Sequence, residues 1–196
     1  MKKIEGKTRE KILLSALTLF SERGIRQASI NEIAYCAGVT RVTVYRHFPG
    51  KNELVLAAFL RVEQVFQKGL SELKQNPQAD LITILDQIGE GLSTLPPGNV
   101  FARVDELMRL YPDVYNLVQE VRAATLNELF ELSFAAAKKQ GTLRSGLNRA
   151  IIQAVFLDQV INVFNNPMFH SIGLSDAELF HSMMDLFLYG VLKARN

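Results

Sequence analysis

The spacing of apolar side chains near the start of the chain predicts an amphipathic helix. Between residues 7 and 23 the apolar positions recur three and four residues apart, as on one helix face. These positions are Ile12, Leu13, Ala16, Leu17 and Phe20. Gly24 follows, and glycine commonly comes directly after the last turn of a helix. We therefore predict a first helix over residues 7–23.

A short second helix is predicted to begin after Ser29. The run SINE at residues 29–32 has the form of a capping box, in which Ser29 caps the helix and Glu32 reaches back to it. This helix is expected to end at Gly38, and Thr40 offers a hydroxyl group to cap the next element.

The next stretch, TRVTVYRHF at residues 40–48, is ambiguous by itself. Its β-branched residues favour a strand on propensity. A lone strand would leave backbone groups unpaired, however, and no second alternating run lies close enough to form a hairpin. After two helices and a glycine turn, the spacing is that of a helix-turn-helix, so we predict a third helix here.

The rest of the pattern is helical as well. Proline, glycine and asparagine separate the predicted helices, which cover residues 51–73, 80–94, 99–110, 113–139, 147–164 and 176–193. The run SDAE at residues 175–178 is a second capping box. We predict an all-α fold with a small helix-turn-helix domain at 1–52 and a larger helical bundle at 53–196.

Charge is distributed unevenly along the chain. Residues 1–51 carry ten Lys or Arg against four acids, a balance of +6, whereas the remaining 12 basic and 16 acidic residues give −4. A basic segment of this kind is typical of a surface that binds a polyanion, although solvated surface charge is the alternative.

Several classes of protein are disfavoured by the composition. No apolar run approaches the roughly 18 residues of a membrane span, and the N-terminus lacks the apolar stretch of a signal peptide, so we expect a cytoplasmic protein. The single cysteine, Cys36, excludes an intrachain disulfide, and we expect its side chain to be buried. The three histidines lack metal-ligand spacing and there is no glycine-rich phosphate loop, so we expect no catalytic residue, no metal and no cofactor.

Residues 12–54 contain a set of spaced positions that belong together. The first helix bears alanines and a phenylalanine and ends at Gly24, and it is followed in register by Ile33, Ala34, Ala37, Gly38, Val39, Tyr45, Phe48, Lys51 and Leu54. This set resembles the DNA-binding domain of the TetR family of bacterial transcriptional regulators. The resemblance implies a homodimeric, all-helical repressor that binds a near-palindromic double-stranded operator and is controlled by a small-molecule effector.

The resemblance places the third helix in the DNA major groove, which is wide enough to accept a helix. Arg41 is then expected to bond a guanine edge, with a phosphate contact or simple solvent exposure as the alternatives. Thr43 is expected to contact a base edge or a thymine methyl group. Val42 can offer only apolar contact, and many relatives have glycine at its position. Thr40 belongs to the same DNA-binding set. The core of this small domain is assigned to Leu17, Phe20, Ile33, Val44 and Phe48.

Phosphate contacts are implied at further positions. Tyr45 and His47 match family positions that usually bond phosphates. The alternative for Tyr45 is a half-buried structural ring, and for His47 a surface or packing role. Lys51 lies at the start of the fourth helix, where the helix dipole also favours an anion. Ser29 is expected to cap its helix or donate to a phosphate, and Asn31 to reach the backbone or a base.

The larger domain offers weaker signals. Aromatic and methionine side chains on its helices are candidates to contact an effector, with ordinary core packing as the alternative. These candidates are Phe101, Met108, Tyr111, Phe130, Phe134 and Phe156. Four charged residues flank apolar faces and are interpreted as solvated surface, with orientation of a ligand as the alternative: Asp105, Glu106, Arg109 and Asp158.

The helices predicted at 147–164 and 176–193 resemble the pair from which family members build a four-helix dimer interface. Candidates for its apolar seam are Ile151, Val155, Val160, Met183, Phe187 and Val191. An alternative function keeps the DNA-binding domain but gives the larger domain a protein partner instead of a small molecule. Few binding sites beside a promoter would favour the repressor, and many dispersed sites would favour the alternative.

Overall fold

The computed structural model describes residues 2–77, 79, 81–96, 103–162 and 166–192. Within these residues the chain forms ten helices, and the predicted all-helical fold class is confirmed. They are α1 (Lys2–Arg23), α2 (Ile30–Cys36), α3 (Arg41–His47), α4 (Lys51–Gln75), α5 (Leu81–Ser93), α6 (Val104–Leu110), α7 (Pro112–Gln140), α8 (Arg149–Asn162), α9 (Pro167–His170) and α10 (Asp176–Val191).

Every predicted helix has a counterpart in the structure. Helix α7 begins at Pro112, a position where proline fits because its missing N–H would have no partner in the helix. The predicted start of α6 at residue 99 lies outside the described residues. Helix α9 was not predicted, since four residues are too few to show a helical period.

The ambiguous stretch at residues 40–48 is helical, as its context predicted. The described part of the chain contains no β-strand, and its one isolated β-bridge joins Leu143 to Leu192. Positive φ angles of 90° at Gly24 and 66° at Gly38 end α1 and shape the turn before α3. Glycine adopts this conformation without the steric penalty of a side chain.

The chain divides into two compact units. The first comprises Met1–Glu63 and Leu95–Val121, and the second comprises Gln64–Thr94 and Arg122–Asn196. The domain boundary predicted at residues 52 and 53 therefore falls inside α4, and the first unit also includes a later segment of the chain.

In the first unit, α1, α2 and α3 pack around one apolar core. Its buried side chains are Ile12, Leu13, Leu17, Phe20, Ile33, Val44, Phe48 and Leu54. The five core positions assigned from the sequence are all among them. Because α3 has only seven residues, its stability must come largely from this packing rather than from helix propensity.

In the second unit, α10 packs against α5 and α8. The rings of Phe66 and Phe180 meet edge to face with centroids 6.1 Å apart, a preferred arrangement for aromatic pairs. At Gly69 an added Cβ atom would lie 2.7 Å from Ile88 Cγ1. Glycine at this position therefore allows α5 to approach α4 closely.

Cys36 corrects one prediction. Its side chain is exposed at the end of α2 rather than buried. On this short helix Ile33 and Ala34 are buried, and Cys36 in the last turn lies outside that buried stripe. Helical geometry decides the burial here, and residue type alone did not reveal it.

Candidate nucleic-acid interface

Helix α3 has one buried and one open side. Val44 is fully buried and Phe48 is almost so, whereas Val42 is 77% exposed and Tyr45 is 38% exposed. Arg41 and Arg46 are also exposed, and Thr43 is half-buried. The open side therefore presents cationic, hydroxyl and apolar groups together, which are the kinds of group that contact base edges and phosphates.

The start of α3 is fixed by Thr40. Its hydroxyl oxygen accepts a 3.1 Å hydrogen bond from the backbone N–H of Thr43, which satisfies one of the unpaired donors at the helix start. The two threonine hydroxyl groups also lie 2.9 Å apart. The predicted cap is thus present, and it orients the Thr43 side chain.

Arg41 and Tyr45 contact each other one helical turn apart. Arg41 Nη2 donates to the Tyr45 hydroxyl oxygen at 3.2 Å, and the guanidinium carbon lies 5.3 Å from the ring centroid. A guanidinium has five N–H donors, so most of them remain available to a second partner. This pairing holds both side chains along the open side of α3.

Ser29 forms the predicted capping box with Glu32. The Ser29 hydroxyl oxygen accepts from the Glu32 backbone N–H at 3.2 Å, while the Glu32 carboxylate accepts from the Ser29 backbone N–H at 3.0 Å. These hydrogen bonds from Ser29, with the nearby Arg23 guanidinium, lower the pKa of Glu32. Asn31 lies exposed in the first turn of the same helix.

His47 is less open than its predicted role requires. Its Nε2 atom is buried with no hydrogen-bond partner in the structure, and its ring lies beside that of Phe48 with centroids 6.5 Å apart. A phosphate bond from this residue would therefore need its other ring nitrogen or a rotation of the ring.

Lys51 reaches back to the turn between α1 and α2. Its Nζ atom donates to the Arg26 carbonyl oxygen at 3.4 Å. Burial lowers the pKa of Lys51, although the nearby carboxylates of Glu106 and Glu32 act in the opposite direction. Lys51 thus contacts the backbone of its own domain. A bound phosphate would share the ammonium group with the Arg26 carbonyl oxygen.

The same turn is held by Glu106, whose role the sequence did not reveal. Its two carboxylate oxygens accept from the backbone N–H groups of Ile25 and Arg26 at 2.9 and 2.8 Å. Arg103 donates to the carbonyl oxygens of Phe20 and Ser21 at the end of α1. Interpreting Glu106 as solvated surface was therefore wrong; no local pattern identifies a contact across about 80 residues.

Arg9 is a further cation near α3 that the sequence did not single out. Its guanidinium carbon lies 4.9 Å from the centroid of the Phe48 ring. Cations commonly stack on aromatic faces in this way. The contact places a positive group from α1 beside the C-terminal end of α3.

The second unit contains a cavity of about 30 Å³. Its lining is almost entirely apolar and consists of Leu85, Leu129, Phe130, Ser133, Phe134, Ala137, Leu143, Ile152, Phe156, Phe187, Leu188, Val191 and Leu192. Three of the six predicted effector residues, Phe130, Phe134 and Phe156, thus lie around one space. Met108 and Tyr111 lie in the first unit, and Phe101 lies outside the described residues.

The residues predicted for a dimer seam have different environments. Ile151 and Val155 on α8 are 64% and 41% exposed, whereas Val160 is buried. Met183 is half-buried, and Phe187 and Val191 line the cavity. Leu186 and Tyr189 are instead the open apolar positions on α10, at 68% and 83% exposure. Leu186 and Tyr189 are three residues apart, whereas the predicted Met183, Phe187 and Val191 are four apart. Both spacings are typical of one helix face, so the sequence did not show which face is open.

The described residues contain neither a membrane span nor a metal-binding cluster. No helix among them combines the length and the hydropathy that a membrane span requires. Over the same ranges, no cluster of three or more His, Cys, Asp or Glu side chains is arranged to hold a metal ion.

Sequence comparison gives the N-terminal helices a family. Residues 12–58 match the family described as bacterial regulatory proteins, tetR family. The chain is 38% identical over 85 residues to the HTH-type transcriptional regulator AcrR of Shigella flexneri, covering 41% of this chain and 38% of that protein. It is 50% identical over 49 residues to the HTH-type transcriptional repressor BepR of Brucella suis biovar 1, covering 25% and 23% of the two chains. Both matches thus span well under half of the relative's length.

Solved structures match over nearly the whole chain. The fatty acid degradation regulator FadR of Bacillus halodurans superimposes with a TM-score of 0.66 at 20% identity, covering 93% of this chain and 95% of that one. SmeT, repressor of the Stenotrophomonas maltophilia multidrug efflux pump SmeDEF, gives a TM-score of 0.56 at 23% identity, covering 95% and 93%. At these identities the likeness establishes the fold. The match at residues 12–58 shows that the N-terminal helices form a domain of the tetR family of bacterial regulatory proteins.

Proposed function

We propose that this chain is a homodimeric transcriptional repressor that binds a near-palindromic double-stranded DNA operator and is released by a small-molecule effector. The observation that carries the proposal is α3 itself. Its inner side is fixed by the buried Val44, while Arg41, Val42 and Tyr45 stand open to solvent. A rigid helix with such an open side fits the major groove.

The proposed roles on DNA follow from these environments. Arg41 reads a guanine edge, Thr43 and Val42 contact neighbouring bases, and Tyr45 bonds a phosphate. Thr40, Ser29 and Asn31 lie at the starts of α3 and α2, where backbone N–H groups add to anion binding. Lys51 and His47 contribute to phosphate binding at the edge of the same surface.

The apolar cavity supports a small molecule as the effector rather than a protein partner. An effector that binds the second unit more tightly in the DNA-free form must weaken DNA binding by the same factor, because the two equilibria are linked. As a repressor the chain acts on nucleoid DNA in the bacterial cytoplasm and has no catalytic activity.

Three known proteins give this view support by analogy. SmeT has been solved in a triclosan complex, and the Bacillus subtilis regulator FadR has been solved with stearoyl-CoA. Brucella BepR is named as a repressor. These ligands and activities belong to those proteins and come to this chain only as part of the proposal.

The test begins by selecting binding sequences from random double-stranded DNA, followed by mobility-shift titration of the selected site. Tyr45→Phe is expected to weaken binding to all sequences several-fold, since it removes a phosphate contact. Arg41→Ala is expected to cost roughly 1–3 kcal/mol on the selected site and to relax the choice of base at one position.

Tyr35→Phe is the matched control for Tyr45→Phe. Tyr35 lies at the end of α2 and is 87% exposed, so the same chemical change there should leave DNA affinity unaltered. A protein that selects no sequence, or that binds equally well after both Arg41→Ala and Tyr45→Phe, would refute the proposal.

A further inference from the structure

The cavity of the second unit contains one polar group without a partner. Ser133 lies on α7 and is 8% exposed, and its hydroxyl oxygen is buried with no hydrogen-bond partner in the structure. Leaving a buried hydroxyl unpaired is unfavourable, so folded proteins rarely retain one without a reason. Ser133 is also the only polar side chain among the residues that line this cavity.

The rest of the lining is aromatic and aliphatic. The rings of Phe130, Phe134, Phe156 and Phe187 form a continuous series, with neighbouring centroids 5.6 to 5.7 Å apart. Burying the apolar surface of a ligand against these rings stabilises binding, but the rings offer no partner to a charged group. It is therefore suited to a flat or extended apolar molecule.

The edge of the cavity carries a cation that is already neutralised. Arg149 stacks over the rings of Phe130 and Phe134, with its guanidinium carbon 5.9 and 5.6 Å from their centroids. The same guanidinium forms an ion pair with Glu131. A ligand carboxylate would have to displace Glu131 to reach it, which disfavours an anionic ligand relative to a neutral one.

The size of the cavity requires movement on binding. At about 30 Å³ it holds about two water molecules, so a larger ligand must displace side chains. Phe134 and Phe187 are only half-buried and can turn toward solvent, whereas Phe130 and Phe156 are buried and form the fixed wall. Adaptation at two of the four rings would enlarge the space between α7, α8 and α10.

We infer that this cavity binds a neutral, predominantly apolar ligand whose single hydrogen-bonding group pairs with the Ser133 hydroxyl. The inference rests on the proposed function, since it names the chemical class of the proposed effector. No sequence pattern indicated Ser133. Neutral ligands are expected to bind this cavity more tightly than carboxylates. Ser133 acts as a binding residue that fixes the ligand's orientation.

The test uses three probes that share one ring system: naphthalene, 1-naphthol and 1-naphthoate. Binding to the full-length protein is measured by equilibrium dialysis near neutral pH, in the absence of DNA. We expect 1-naphthol to bind about tenfold more tightly than naphthalene, as one hydrogen bond to a buried hydroxyl allows, and 1-naphthoate to bind more weakly than 1-naphthol.

Ser133→Ala should reduce the preference for 1-naphthol to within about twofold while leaving naphthalene binding in place. Ser182→Ala is the matched control, because Ser182 lies exposed on α10 with its hydroxyl donating to the Glu178 carbonyl oxygen. Ala137→Leu, which adds volume to the lining, should weaken all three probes. If that variant fails to fold, the comparison between Ser133→Ala and Ser182→Ala decides alone.

Equal binding of naphthalene and 1-naphthol by the unaltered protein would overturn the inference. A preference that survives Ser133→Ala, tighter binding of 1-naphthoate, or no binding of any probe would also overturn it. The mobility-shift titrations without ligand are independent of these measurements. Failure of the ligand inference therefore leaves the DNA-binding proposal standing, and the two failures can be told apart.

Discussion

The Glu106 carboxylate accepts a 2.9 Å hydrogen bond from the backbone N–H of Ile25, in the turn between α1 and α2. Its second oxygen accepts from the next backbone N–H, that of Arg26, at 2.8 Å. One side chain of α6 thus holds two consecutive amides of the turn that leads into α2. Because α2 packs against α3, this contact helps to define where the open side of α3 lies.

Glu106→Gln is predicted to lower the free energy of unfolding by about 2 kcal/mol, since a charged acceptor for two backbone donors is replaced by a single neutral one. Asp105→Asn is the control, because Asp105 is an exposed neighbour on the same helix. Chemical denaturation of both variants measures the difference. Equal stability of the two would show that the Glu106 contact contributes nothing.

Gly24→Ala tests the geometry of the same turn. Gly24 has a φ of 90°, and an added Cβ atom would lie 2.8 Å from a Glu106 carboxylate oxygen. The strained backbone and the displaced carboxylate are expected to cost at least about 1–2 kcal/mol. Thermal unfolding followed by circular dichroism measures the loss.

Gly6→Ala is the control for this change. Gly6 lies in α1, and an added Cβ atom there meets nothing within 4 Å. The same substitution should stabilise this helix by up to roughly 1 kcal/mol, because alanine has the higher helix propensity. A loss of stability at Gly6 similar to that at Gly24 would contradict the argument from φ.

Glu32 gives the stability of the first unit a dependence on acid. Its pKa is lowered from the ordinary 4.5 in the folded protein, chiefly by hydrogen bonds from Ser29. A depressed folded-state pKa contributes stability that is present above the unfolded value and is lost as the pH falls through the folded value. The contribution should therefore disappear as the pH falls from above 4.5 to below the lowered pKa.

Glu32→Gln should flatten this part of the pH dependence while retaining the cap, because glutamine also occupies this position in capping boxes. Unfolding measured at a series of acidic pH values provides the comparison. Glu22→Gln, on an exposed position of α1, should leave the unfolding profile unchanged. The same acid-dependent slope in the Glu32→Gln variant would exclude Glu32 as its source.

The exposed apolar side chains of α8 and α10 are predicted to form the dimer contact. Ile151→Asp and Leu186→Asp each place a charge on this face and should shift the protein from dimer to monomer in sedimentation velocity. Leu117→Asp is the control, since Leu117 is a 42% exposed apolar residue of α7 in the first unit. A dimer that persists in both Ile151→Asp and Leu186→Asp would place the interface elsewhere.

The sequence by itself determined nine of the ten helices in the described part of the chain and several of their ends. The period of apolar positions, the glycines after α1 and α2, and the two capping boxes act over a few residues, so they can be read directly from the chain. Context within about 25 residues also decided that residues 40–48 form a helix despite their β-branched side chains. The family resemblance and the placement of Val44 inward and Val42 outward followed from the same local pattern.

Only the tertiary structure decided which side chains meet across the chain. Whether Phe187 lines a cavity and Leu186 faces solvent depends on how α10 rotates against α5 and α8, and a shift of one residue turns a helix face by about 100°. The Glu106 contact and the unpaired hydroxyl of Ser133 likewise depend on residues far apart in sequence. Local periodicity constrains which face of a helix is apolar but not which elements that face packs against. The open side of α3 was therefore predictable, and the lining of the cavity only partly so.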